Sequence, residues 1–332
     1  MSSPPPSPLS TLPAHWDSLC QPQRGLDAFA TSSVWAESAR LAFAPEAMLI
    51  THPFEDAALA CLAFVHEEGG PILTGLDIAW GYASCWVGAP SAPRLEEALA
   101  AVTARVPRWR FWVWTGLLDA SPLPLLLRRK ALASGWNFLP WNRSINRCTS
   151  VDGDIASWLA RRSPASRRRF RRIDNTWQRL QDQGWTYDEQ RPSALDVAGC
   201  AQRLWSVEAQ SWKTLGGVGA YDGQMRRFCD EVLYRAARGG QLRVAFLRDP
   251  SGRDVAYYSG AVHHGAFRGL QMSYVSDAPV EGVGTLLHWL VVRSLCDDPE
   301  LRLYDLGMEM PYKAGWAEQL VHYPAYVLVR NL

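Results

Sequence analysis

Leu242-Arg-Val-Ala-Phe-Leu-Arg248, Val255-Ala-Tyr-Tyr-Ser-Gly-Ala-Val-His263 and Phe267-Arg-Gly-Leu-Gln-Met-Ser-Tyr-Val275 are three apolar-rich runs. Asp249-Pro-Ser-Gly252 and His264-Gly265 separate them, and Pro279-Val-Glu-Gly-Val-Gly-Thr285 follows. Runs of this length bounded by turn residues predict three consecutive antiparallel strands. Val283, Leu286, Leu287, Leu290 and Val291 then recur at helical spacing, which predicts a helix to about Cys296. Leu301–Leu306 predicts a strand, Tyr312–Gln319 a short helix and Tyr323–Val329 a last strand. The glycines therefore fall between a strand and a helix start, where free N–H groups can face a phosphate. A Walker loop would need Gly-Lys-Ser/Thr, and a dinucleotide fold would need Gly-x-Gly-x-x-Gly in a parallel βαβ unit. Neither is present.

Upstream, Ser163-Pro164 has the N-cap and first-turn pairing that opens a helix. Phe170, Ile173, Trp177 and Leu180 form its apolar stripe. Ala194–Lys213 predicts a second helix, with Val197, Ala201, Leu204, Trp205 and Trp212 buried, and Gln224–Arg238 a third. Ile155–Ala160 reads as a short helix. In the first half, Leu26–Phe43, Ala92–Arg105 and Leu123–Ser134 read as helices. Ala47–Thr51, Ala58–His66, Ile72–Leu76, Tyr82–Val87 and Trp109–Trp114 read as strands, with a hairpin turn at Glu67-Glu-Gly-Gly70. Strands interleaved with helices in both halves predict a mixed α/β chain.

With 332 residues the chain has room for about two domains. Lys+Arg is 34 and Asp+Glu 33, a net charge of +1, which argues against a protein that grips nucleic acid through its overall field. No apolar run is long enough for a membrane span. Met1–Pro13 is Pro/Ser-rich without a basic start or an apolar run, so no secretory signal is expected there. Seven scattered cysteines without Cys-x-x-Cys predict neither a disulfide framework nor a zinc site, and suit a reducing cytoplasm. Sixteen tryptophans suit a wide core or an aromatic pocket. Lysine is confined to Lys130, Lys213 and Lys313 in an arginine-rich chain, and the last two follow Trp212 and Tyr312.

Taken with their order, several segments resemble the GNAT-superfamily acyltransferases of the CelD/BcsL type (the Acetyltransf_6-like group), related to FemAB-like double-GNAT proteins. They are Phe29-Ala-Thr-Ser-Ser-Val-Trp35, Ala165-Ser-Arg-Arg-Arg-Phe-Arg-Arg172, Glu208-Ala-Gln-Ser-Trp-Lys213, Gly282-Val-Gly-Thr-Leu286 and Tyr304-Asp-Leu-Gly307 with Tyr312-Lys313 and Trp316. Pro279 stands where GNAT loops usually start with Gln or Arg. The resemblance implies an α/β fold of two tandem GNAT-like subdomains. Residues 1–23 would be a disordered tail, 24–150 a degenerate half shaping the acceptor cleft, and 151–332 the half with the donor site. It also implies N-acyl transfer from acyl-CoA or an acyl-carrier protein to a small-molecule or peptide amine, by direct attack, in the cytoplasm and without a metal. An aminoacyl-tRNA-dependent transferase and a non-catalytic scaffold of polysaccharide or natural-product assembly are the alternatives.

On that resemblance, Met272, Ser273, Tyr274 and Val275 would line the donor arm, and Gly282, Val283, Gly284 and Thr285 would hold the pyrophosphate. Glu309 is expected as general base and Tyr312 as general acid, with Asp305 beside them. Glu208 is a rival base, because it shares a stripe with Trp205 and Trp212. Trp212, Lys213 and Lys313 are expected to contact substrate. Seven arginines between Arg161 and Arg172 form either a solvated basic face or a platform for an acidic carrier protein or phosphorylated substrate. Aromatic residues are not interleaved for nucleic-acid stacking. His263-His264 and Asp152-Gly-Asp154 are not read as metal sites.

Overall fold

The computed structural model describes residues 11–21, 26–64, 70–217, 219–220 and 222–330. The chain divides into two compact units, one of residues 1–145 and 322–332, the other of residues 146–321.

The first unit contains α1 (Trp16–Leu19), α2 (Ala28–Thr31), α3 (Ser33–Phe43), β1 (Met48–Pro53), β2 (Ala57–Phe64), β3 (Ile72–Thr74), β4 (Trp86–Gly88), α4 (Ala92–Arg105), β5 (Phe111–Trp114) and α5 (Leu123–Ala133). Strand β2 is buried almost end to end. Alternation sends Leu59, Cys61 and Ala63 to one core, with α4 and α5, and Ala58, Ala60 and Leu62 to another, with the N-terminal helices. Residues 326–329 pair with β5. Two expectations change here. The predicted helix 26–43 breaks at Ser32, whose hydroxyl donates to Phe29 O. The tail expected over residues 1–23 is anchored where it is described, because Trp16 is buried and its indole N–H donates to Thr31 O at 2.8 Å. The rest of that tail and positions 67–69 of the predicted hairpin turn lie outside the described residues.

The second unit begins within β6 (Asn137–Ser150) and continues with α6 (Ile155–Ala160), α7 (Pro164–Asp182), β7 (Thr186–Gln190), α8 (Val197–Ala209), α9 (Trp212–Leu215) and α10 (Gly223–Arg238). Then come β8 (Leu242–Arg248), β9 (Asp254–His263), β10 (Ala266–Tyr274), α11 (Val283–Cys296), β11 (Leu303–Met308), a 3-10 turn (Pro311–Gly315) and the start of β12 (Gln319–Val329), whose residues from 322 onward belong to the first unit. The meander β8-β9-β10 is antiparallel, as the turns predict. Strand β7 extends it on one side, and β11 follows β10 in parallel on the other, with residues 146–150 of β6 beyond. Ser163 caps α7 by accepting from Ser166 N–H. The apolar stripe of α7 meets α11 through Phe170, which stacks on Trp289 at 5.1 Å; Trp158 and Trp316 complete the cluster. The helix expected at 312–319 is the 3-10 turn followed by the start of β12. Among the described residues no helix is long and apolar enough to cross a membrane.

Candidate active site

Strands β10 and β11 pair for three residues only, Ala266–Arg268 with Leu303–Asp305. Beyond that point they separate, and a cavity of about 710 Å³ occupies the fork between them. The last paired residues are a buried ion pair, Arg268 Nη1 to Asp305 Oδ2 at 2.5 Å. Asp305 also accepts from Asn146 Nδ2 and from Gly307 N–H. Gly307 has φ +76°, a conformation that turns β11 away and that a side chain would strain.

The start of α11 closes one end of the cavity. Gly282 is its N-cap at φ +76°. The first intrahelical bond runs from Leu286 N–H to Gly282 O, so the N–H groups of Val283, Gly284 and Thr285 precede the ladder. A Cβ on Gly284 would lie 2.8 Å from the Tyr274 ring, so glycine is required by close approach. This backbone cradle fits an anion in shape and dipole. The exposed Glu281 stands at the helix start.

The predicted helix 194–213 breaks after Ala209. Ser211 forms an isolated bridge with Val275 and caps α9 by accepting from Thr214 N–H. The break carries Trp212 and Lys213 to the cavity. Trp212 was expected to be buried; it is 49% exposed, because it follows the break instead of continuing the α8 stripe. Lys213 Nζ donates to Met272 O on β10. Lys313 Nζ donates to Leu306 O and Met308 O on β11, each at 2.7 Å. Burial lowers the pKa of both lysines, Lys313 to about 8.

Of the expected donor residues, Met272, Tyr274, Val275, Gly282, Val283, Gly284 and Thr285 line the cavity. Ser273 does not, because alternation turns its side chain to the opposite, fully buried face. Tyr312 lines the cavity and is 52% exposed at its mouth. The carboxylates expected nearby lie elsewhere. Asp305 is held by Arg268. Glu309 pairs with Arg147 at 2.6 Å. Glu208 is fully buried, accepting from Ala220 N–H at 2.9 Å and from the Tyr257 hydroxyl at 3.0 Å. None of these three is among the cavity's lining residues.

Three lining residues were missed by sequence reasoning. Tyr258 on β9, Tyr304 on β11 and His288 on α11 form a hydrogen-bonded chain, with His288 Nε2 2.8 Å from the Tyr304 hydroxyl and that hydroxyl bonded to Tyr258. His288 lies 4.1 Å from Trp316, stacked on it. Burial, helped by Lys313 and Arg169, lowers its pKa to about 3, so the imidazole is neutral. The available signal was His288 one turn beyond Gly284, inside the apolar run Leu286–Val292.

The basic stretch divides by role. Arg162 is buried over Trp158 and pairs with Glu318, and Arg161 pairs with the same carboxylate. Arg169 lines the cavity, beside Trp316. Arg168, Arg171 and Arg172 are exposed.

Residues 166–314 match the family described as acetyltransferase (GNAT) domain. This segment is a GNAT acetyltransferase domain. The fork and the loop after β10 both lie inside it. FemX shares its fold with 93% of the chain (94% of FemX) at a TM-score of 0.63 and 8% identity. A conserved protein of unknown function from Bacteroides thetaiotaomicron does so over 96% of the chain and 97% of its own, at 0.62 and 13% identity. L-PGS from Bacillus licheniformis does so over 96% and 92%, at 0.56 and 13%. At these identities the likeness is one of fold. No curated protein matches the chain. The mixed α/β reading holds, and the GNAT acetyltransferase domain makes the chain a transferase.

Proposed function

We propose that the chain is an N-acyltransferase that moves an acyl group from an acyl-thioester, acyl-CoA or an acyl-carrier protein, to an amine. The observation that carries this reading is the fork of β10 and β11 opening onto the glycine cradle of α11. An extended arm fits along the unpaired edge of β10, with its phosphates at the N–H groups of Val283, Gly284 and Thr285.

The amine nitrogen attacks the thioester carbon, the C–N bond forms and the C–S bond breaks. Held side by side in the cavity, the two reactants need no covalent enzyme intermediate. His288, whose imidazole stays neutral until about pH 3, is not a store for the amine proton near pH 7; it is hydrogen-bonded to the Tyr304 hydroxyl. Through Tyr304 it positions the Tyr258 hydroxyl on the cavity wall. The amine enters in its neutral form, the Tyr258 oxygen accepts a hydrogen bond from it, and its proton leaves to solvent at the cavity mouth as the C–S bond breaks. Tyr312 gives its phenolic proton to the leaving thiolate and regains one from solvent. Tyr312 keeps the role of acid expected from the resemblance; Glu309, held by Arg147, does not keep that of base. Lys313 places a positive charge at the crotch of the fork, favouring negative charge on the carbonyl oxygen.

The test is a calorimetric titration with acetyl-CoA, a long-chain acyl-CoA and free CoA, with Gly284→Trp as control. Saturable binding lost in the variant supports the reading. Absence of binding by all three overturns acyl-CoA as donor. A second reading is favoured by Glu281 in the cradle together with exposed Arg168, Arg171 and Arg172: an aminoacyl-tRNA donor carrying its phosphates outside the loop. Transfer from a charged tRNA that disappears on RNase treatment would select it.

A further inference from the structure

Lys213 and Lys313 face the same cavity from the two lips of the fork. Lys213 is anchored on the carbonyl of Met272 in β10, and Lys313 on the carbonyls of Leu306 and Met308 in β11. Among the described residues neither has a carboxylate partner. The nearest carboxylates are engaged elsewhere: Asp305 by Arg268, Glu309 by Arg147, and Glu208 by Tyr257 and a backbone N–H. An ammonium has three donors, so Lys313 keeps one N–H and Lys213 two for a ligand. Arg169 adds a third cation to the lining, against the single carboxylate of Glu281 at the far loop.

Half-buried cations without counter-charges are costly unless a ligand supplies one. The same charges repel a substrate that brings only an ammonium group. Resting on the reading of this cavity as an amine-acylating site, we propose that its acceptor is an amine that also bears an anionic group, a carboxylate or a phosphate, held between Lys213 and Lys313. The exclusion of simple cationic amines is as much a part of this selectivity as the attraction of the anion. Trp212 and Tyr312, exposed at the mouth, offer aromatic faces to the rest of the acceptor.

The test uses the full chain saturated with free CoA and three matched pairs of probes: cadaverine and lysine, ethanolamine and phosphoethanolamine, glucosamine and glucosamine 6-phosphate. Calorimetry reads binding, and thiol release from acetyl-CoA reads kcat and KM separately. The anionic member of a pair is expected to bind at least tenfold tighter. Which pair shows the larger difference assigns carboxylate or phosphate. Lys213→Met and Lys313→Met should each shrink the difference, the double variant should abolish it, and Lys→Arg at either position should restore it in part. Thermal melts of every variant report folding.

Equal binding within each pair, tighter binding of the cationic member, a preference that survives in the folded double variant, or no binding by any probe would overturn the inference. Acyl-CoA binding without anion preference removes this inference alone. Lysine-dependent binding of anionic amines without acyl-CoA binding removes the donor assignment and leaves this one standing.

Discussion

Replacing His288 should make the protein less sensitive to acid. His288 is 3% exposed, and its pKa is lowered from 6.5 to about 3 by burial first, then by Lys313 and Arg169. In the unfolded chain the imidazole takes up a proton below pH 6.5, whereas in the folded chain it stays neutral until about pH 3. The unfolded state therefore binds more protons throughout that window, and stability falls as pH falls. With 1.36 kcal/mol per pH unit, the loss from this one group between pH 7 and pH 4.5 is about 2.5 kcal/mol. His288→Gln keeps a polar partner for Tyr304 and removes the titration. Urea unfolding at both pH values, followed by tryptophan fluorescence, separates the cases, because the other titrating groups are common to both proteins. The wild type should lose about 2.5 kcal/mol more than the variant. Parallel losses, or an imidazole that titrates near 6 by NMR in the folded protein, would refute the argument.

Gly284→Trp should abolish acyl-CoA binding, since the bulk enters the cradle against Tyr274, with a thermal melt of the variant reporting folding; retained binding in calorimetry would remove the loop from the donor site. Tyr304→Phe breaks the chain that positions Tyr258, and kcat should fall up to about 10²-fold with KM little changed; an unchanged kcat and an unchanged pH profile would make the chain structural. Glu309→Gln should leave the rate unchanged and alter stability by no more than about 1 kcal/mol, because its partner Arg147 is part of a partly exposed pair; a large loss of kcat would return the role of base to Glu309. Arg268→Met leaves Asp305 buried without its counter-charge and should cost about 3–5 kcal/mol by chemical denaturation; a cost below about 1 kcal/mol would show that the pair does not hold the fork.

Local pattern carried the meander, because Asp249-Pro-Ser-Gly252 and His264-Gly265 are turn signals between β-rich runs, and β8, β9 and β10 follow them closely. Ala92–Arg105 and the Ser163 cap were equally legible, being set by spacing and capping chemistry within the segment. Strands β6 and β7 were not. Asn137–Ser150 holds three asparagines and a proline, and Thr186–Gln190 has Tyr187 as its one aromatic among polar residues, so both are strands chiefly through the neighbours they pair with. At the site, the cradle was legible because glycine spacing is local. The chain of Tyr258, Tyr304 and His288 was not, because it joins residues from β9, β11 and α11 that only the fold brings together.

Asp305 shows why the carboxylates misled. From sequence it stands just past a strand, in the neighbourhood where an acid or base is expected. In the structure it sits where the parallel pairing of β10 and β11 ends, and each of its contacts serves that ending. Arg268 ties it to β10, Asn146 ties it to β6, and Gly307 N–H, bonded to its own Oδ1 at 2.7 Å, turns the strand outward. The next positions on β11 then leave Leu306 O and Met308 O without strand partners on that side, and Lys313 takes them up. A buried ion pair thus closes the base of the fork, and an ammonium group sits in the opening beyond it. The lysine on this side of the cavity is positive, and the negative charge of Asp305 ties β10 to β11 at the last pair before they separate.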